Sequence, residues 1–131
     1  MAPNTTGGYY YSHGISITGS SQDIEVHNCH LYVPKSFTNA VSGTSHCAVS
    51  IYQGTVRDVR FHHNLIEGGG TGCYVYGTSA SRVSNVTIEH NEIGYVDYSA
   101  IYAYYTDSVT FSYNRAKQRV GNFTPDRKSA V

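Results

Sequence analysis

The hexapeptide Val86-Thr87-Ile88-Glu89-His90-Asn91 returns 23 residues later as Val109-Thr110-Phe111-Ser112-Tyr113-Asn114. A repeat at that interval is longer than one strand and shorter than one domain, so it points to stacked supersecondary units. The same frame occurs twice upstream. Ile24-Glu25-Val26 and Val59-Arg60-Phe61 share with the two hexapeptides a pair of apolar residues flanking one polar residue, the alternation of a β-strand. Turn-forming residues stand just before each strand: Asp23, Asp58, Asn85 and Ser108. Three residues past the second apolar position come Cys29, Asn64, Asn91 and Asn114, and two further on Leu31, Ile66, Ile93 and Ala116.

A second set of columns lies upstream of these strands: Ile15-Ser16-Ile17, Val49-Ser50-Ile51, Cys73-Tyr74-Val75 and Ile101-Tyr102-Ala103. Each is preceded by a small residue, Gly14, Ala48, Gly72 or Ala100. Intervals between successive members run from 23 to 35 residues, a variation that a solenoid absorbs in its loops. Apolar residues recur at every second position and β-branched and aromatic types dominate, so no helix is expected. The pattern predicts an all-β chain, a right-handed parallel β-helix of about four coils with three short strands each. Like residues then stack into ladders, and the asparagine column is a sharp turn whose amides bond from coil to coil. We assign the coils to residues 14–116, a lead-in or cap to 1–13, and a basic tail or cap to 117–131, where Arg119, Arg127 and Lys128 follow the last alternation.

With these columns in place the chain resembles the pectin-lyase-like superfamily, whose short repeat reads I-x-I-x-x-N-x-I. The residues that carry it are Phe61 to Ile66 with Asn64, Ile88 to Ile93 with Asn91, and Phe111 to Ala116 with Asn114. The stretch HNEIGYVDYSAIYAYYTDSVTFSYN is also similar to coils of β-helix glycoside hydrolases. Cys29 in the asparagine column and the long excursion over 32–47 depart from the repeat. The resemblance implies a carbohydrate-active or carbohydrate-binding β-helix, most like a glycoside hydrolase, with the Gly/Ala-led strand on the floor of the substrate groove. The superfamily also includes lyases, phage spikes and adhesins, so a non-catalytic structural or adhesive β-helix is the alternative.

The outward positions of the Gly/Ala-led strands are Ser16, Thr18, Ser50, Tyr52, Tyr74, Tyr76, Tyr102 and Tyr104. Stacked at about 4.8 Å per rung, they place five tyrosines in one strip, the expected substrate-binding residues. Rings with hydroxyl tips suit the weakly apolar faces and hydrogen-bonding edges of sugars; they also suit a purely structural sheet surface. Hydrolysis takes two carboxylates, about 5–5.5 Å apart for retention and about 6.5–9.5 Å for inversion. The floor has none, but the loops leading into it offer Glu67 and Asp97, with His46 as a third candidate catalytic residue. A lyase needs a base, which a tyrosine or His46 supplies, and a cation against the uronate, which the floor lacks.

His27, His62 and Glu89 share a column of metal-ligating types, but stacked rungs set them in a line where a metal needs convergence, so no metal and no cofactor is expected. Glu25 and Arg60 form an expected surface ion pair, and His63 and His90 are expected turn residues. Gly68-Gly69-Gly70 lacks the strand–helix context of a phosphate loop. Cys29, Cys47 and Cys73 have no metal-site spacing and are read as small buried thiols. A formal net charge of zero gives no electrostatic reason for nucleic acid, and no apolar run reaches bilayer length. The expected partner is a polysaccharide or oligosaccharide, in an extracellular, cell-surface or periplasmic setting. Because solenoid ends expose strand edges, coil-on-coil self-association or a longer parent chain is also expected.

Overall fold

A computed structural model describes residues 12–33, 46–96 and 99–118. The first coil comprises β1 (Ser12–Ile17), β2 (Gln22–His27) and β3 (His30–Val33), and the second β4 (His46–Tyr52), β5 (Arg57–His62) and β6 (Leu65–Gly68). The third holds β7 (Thr71–Tyr76), β8 (Val83–Glu89) and β9 (Glu92–Val96), and the fourth β10 (Ser99–Tyr104), β11 (Thr106–Ser112) and β12 (Arg115–Gln118). Equivalent strands pair in parallel to build three sheets: A in the order β1-β4-β7-β10, B in the order β2-β5-β8-β11, and C in the order β3-β6-β9-β12. Every crossover is one full coil, and parallel connections of this kind wind right-handed. No helix occurs among the described residues. The four-coil β-helix is the architecture that the repeat predicts. The last strand runs to Gln118, two residues into the expected tail; the rest of the tail, residues 1–11 and most of the 32–47 excursion lie outside the described residues.

The registers match the sequence columns residue for residue. Ile24 pairs with Val59, Val59 with Val86 and Val109 with Val86, while Leu31, Ile66, Ile93 and Ala116 form the third column. Val49, Ile51, Val59, Phe61, Ile66, Val86, Ile88 and Ile93 are wholly buried. These belong to coils two and three. In the first and fourth coils Ile15, Ile24, Val26, Ile101, Val109, Phe111 and Ala116 are partly buried and pack against this core.

Two turn columns have one backbone conformation each. Asp23, Asp58, Asn85 and Ser108 are all left-handed at φ 51 to 58°, and so are Asn28, His63, His90 and Tyr113 at φ 53 to 54°. Asp and Asn tolerate this region, which explains the first column's composition; the stack imposes the same bend on His63, His90 and Tyr113. Just past that bend runs the asparagine ladder. Asn64 Oδ1 accepts from the Cys29 backbone N–H at 3.0 Å, Asn91 Oδ1 from that of Asn64 at 2.9 Å, and Asn114 Oδ1 from that of Asn91 at 2.8 Å. Each Nδ2 donates to a carbonyl one coil back: Asn64 to Val26, Asn91 to Phe61 and Asn114 to Ile88. Every asparagine thus serves the coil before it. Cys29, in the first described coil, takes part in the ladder through its backbone N–H.

The small column is steric. A β-carbon on Gly72 would stand 2.7 Å from Ile93 Cγ2 and 2.8 Å from the Ala100 carbonyl oxygen, at the corner where sheets C and A meet. Gly68 has φ +88°, and a β-carbon there would fall 1.9 Å from the Val33 carbonyl oxygen, so the end of β6 admits only glycine.

Candidate functional site

The outer face of sheet A holds the tyrosine strip in two columns. Ser16, Ser50, Tyr74 and Tyr102 are in register, and beside them Tyr52, Tyr76 and Tyr104. Ring centroids are 5.3 Å apart for Tyr74–Tyr102, 5.6 Å for Tyr52–Tyr76 and 5.4 Å for Tyr76–Tyr104, with interplanar angles of 11°, 24° and 27°. Across the columns Tyr74 and Tyr76 stack at 5.6 Å and 4°. These spacings are close to the rung distance, so each inner ring has its faces against other rings. The strand alternation predicts five outward rings. Instead Tyr74, stacked on Tyr52, Tyr76 and Tyr102, is only 5% exposed, whereas Tyr52, Tyr102 and Tyr104 are 38%, 44% and 45% exposed.

Stacking changes what the strip can do. Inner rings present edges and hydroxyls, whereas Tyr102 and Tyr104, the most exposed rings of the strip, also present ring surface. Gln53 donates from Nε2 to the Tyr52 hydroxyl at 3.1 Å, and Thr18 donates from Oγ1 to the Tyr52 carbonyl at 2.7 Å, which ties the near end of the row to the adjoining turns. Burial, with the neighbouring phenols adding to it, pushes Tyr74 above the ordinary tyrosine range. A hydrogen bond with Tyr105 and the charges of nearby phenols push Tyr104 the same way. Both therefore remain protonated at neutral pH, as hydrogen-bonding groups and not as bases. Tyr105 was not legible in the strand alternation, which turns it inward. Its left-handed backbone, φ 49°, breaks the alternation and lays the ring edge-on against Tyr104 at 4.4 Å.

Of the candidate catalytic residues, only Glu67 has a described side chain. Glu67 lies within strand β6 of sheet C and not in a loop, between Tyr32 and Gly94 in register, and its Oε1 is 2.8 Å from His30 Nε2. Asp97 falls outside the described residues, as does the side chain of His46, which opens β4.

Sheet B carries a separate polar network. Arg60 donates from Nε to Glu89 Oε1 at 2.9 Å, while its distance to Glu25 is 3.6 Å, so the expected Glu25–Arg60 pair is the longer of its two contacts. Glu25 instead meets His62 Nε2 at 2.6 Å, and His62 Nδ1 meets His63 Nδ1 at 2.8 Å. The hydrogen bond from His62 holds the Glu25 carboxyl below its ordinary value, and that from Arg60 does the same for Glu89. His27 stacks on His62 and His63 on His90 at 5.1 and 5.2 Å. Among the described residues no three His, Cys, Asp or Glu side chains converge in a metal-holding group.

The cysteines divide. Cys47 and Cys73 are buried, and burial pushes both thiols up to about 12. Cys29, expected to be buried as well, is exposed, and its thiol donates to the His27 carbonyl at 3.2 Å.

Three parallel sheets, an asparagine turn ladder and an aromatic outer face define a right-handed parallel β-helix. The chain belongs to the family described as right handed beta helix region, which matches it over residues 9–123. Neither the curated proteins nor the solved structures gave a match.

Proposed function

We propose that this β-helix holds an extended glycan along the outer face of sheet A. The observation that carries the reading is the ladder itself: phenols in two columns, ending in the exposed rings of Tyr102 and Tyr104. A row of hydroxyls repeating at the rung distance offers regularly spaced hydrogen bonds to a chain of repeating sugars. The rings of the last rung offer the apolar surface on which a pyranose face stacks. The resemblance to β-helix glycoside hydrolases supports the same class of ligand, with Glu67 and Asp97 as the acids if turnover occurs, and an extracellular or cell-surface setting accords with it.

The test is calorimetric titration with a panel of polysaccharides, read beside assays for new reducing ends and for unsaturated products. Binding that Tyr102→Ala and Tyr104→Ala abolish supports the reading. Binding untouched by both, or none across the panel, overturns it. New reducing ends that Glu67→Gln or Asp97→Asn removes would make the holder a hydrolase; binding without turnover would make it an adhesive or structural β-helix.

A further inference from the structure

We infer that the corner between sheets A and B holds an oxyanion substituent of the bound glycan, an ester sulfate or a carboxylate, against Arg57; the assignment of the ligand as a glycan rests on the reading above. The corner bears an open cleft of about 410 Å³, with buried Val56 in its floor and the exposed side chains of Gln22, Arg57 and Arg82 on its rim. Gln22, Arg57 and Ser84 are in register across β2, β5 and β8, and Asp107 continues the column on β11. Arg57 donates from Nε and Nη2 to the side-chain oxygen of Gln22, at 3.0 and 2.6 Å. That acceptor is neutral, so it fixes the guanidinium without cancelling its charge. Among the described residues no carboxylate forms an ion pair with Arg57.

The acid in the column is already engaged. Arg82 donates from Nε to Asp107 Oδ1 at 2.9 Å and from Nη2 to the Thr106 carbonyl at 3.1 Å, and Asp107, one rung beyond Ser84, does not line the cleft. What faces the cleft is a held, uncompensated guanidinium, a second arginine, and the hydroxyls of Ser20, Thr55 and Ser84. Thr55 donates to Ser20 at 3.1 Å, so the Ser20 proton is available to a ligand. A planar fork of N–H donors beside hydroxyls, with no carboxylate in the lining, is the chemistry that recognises an oxyanion.

The cleft adjoins the ladder at both ends. Gln53, in the turn between β4 and β5, holds the Tyr52 hydroxyl, and Arg82 lies 5.9 Å from the centroid of Tyr105, which packs on Tyr104. A glycan on the outer column therefore runs alongside the cleft, with its substituents on that flank facing Arg57.

The test uses glycans of one backbone in neutral, carboxylated and sulfated forms, plus sodium sulfate alone with NMR detection of the Arg57 side chain. We expect an acidic form to bind about tenfold tighter than the neutral one, the worth of a charge-assisted hydrogen bond. Arg57→Gln should erase that preference and leave neutral binding unchanged. Arg60→Gln, which removes the same charge from the same sheet outside the cleft, should retain it. A preference for one acidic form alone identifies the substituent. Equal affinity for neutral and acidic forms, or a preference surviving Arg57→Gln, overturns the inference while neutral binding leaves the ladder reading standing. An Arg57 response to sulfate without any glycan binding supports the oxyanion site and overturns the glycan reading. Silence in both overturns both.

Discussion

Asn91→Ala is the sharpest test of the ladder's contribution to stability. Asn91 is 3% exposed, and its side chain meets four groups, one of them Asn114 Oδ1, to which its Nδ2 donates at 3.0 Å. Its Oδ1 accepts from the Asn64 backbone N–H at 2.9 Å and from Asn64 Nδ2 at 3.0 Å, and its Nδ2 donates to the Phe61 carbonyl at 3.1 Å. Asn64 Nδ2 keeps a second acceptor in Val26, so truncation strands two buried groups, the Asn64 N–H and the amide-facing side of the Phe61 carbonyl. At about 1–3 kcal/mol for each unsatisfied buried group, the loss is about 2–6 kcal/mol, against a whole-domain stability of about 5–15 kcal/mol. Urea unfolding followed by circular dichroism should show the midpoint falling by about 1 M or more. Asn91→Asp separates hydrogen bonding from shape. It keeps the volume but turns a second oxygen, with charge, toward the Phe61 carbonyl and Asn114 Oδ1. It should be at least as damaging at neutral pH and recover as acid restores a donor. A loss under about 0.5 kcal/mol for Asn91→Ala, the scale of an ordinary surface substitution, would refute the reasoning.

Further expectations follow from the same geometry. Phe61→Ala empties the centre of the second coil and should cost about 3–5 kcal/mol in the same unfolding assay. Gly68→Ala should give little folded protein on expression, since its β-carbon meets the Val33 carbonyl at a left-handed φ. Alkylation near neutral pH, read by mass spectrometry, should modify Cys29 while Cys47 and Cys73 react only after unfolding, because burial keeps those thiols protonated. The Arg60 hydrogen bond holds the folded pKa of Glu89 below the ordinary carboxylate value, so its contribution is complete above that ordinary value and is lost as pH falls through the lowered folded one. The stability difference between the native chain and Glu89→Gln should therefore shrink from about pH 6 to about pH 3.

Much of the fold was legible in the sequence because a solenoid makes local and long-range order the same thing. One coil's strand pairs with the next coil's equivalent, so Val86-Thr87-Ile88 and Val109-Thr110-Phe111 could be aligned as text and are found paired as strands. The asparagine column announced the turn, and the left-handed backbone of Asp23, Asp58, Asn85 and Ser108 explains why turn formers recur before each strand of sheet B. The tyrosine strip was legible as a column for the same reason.

What the text did not contain was which faces those groups keep free. Periodicity tells inward from outward, but Tyr74 is outward and still buried, because rings one rung apart stack on each other before they meet solvent. Tyr105 leaves the alternation through one backbone angle. Glu67 reads as a loop acid until β6 takes it in and His30 engages its carboxylate. Arg57 and Arg82 belong to different coils and come to one cleft only when the turns stack. The sequence by itself determined the coil, its register and its ladders, because those follow from the pattern of one rung repeated. The tertiary structure alone decided which phenols stay exposed and which partners the described charges take, because exposure and pairing depend on side chains that reach across rungs.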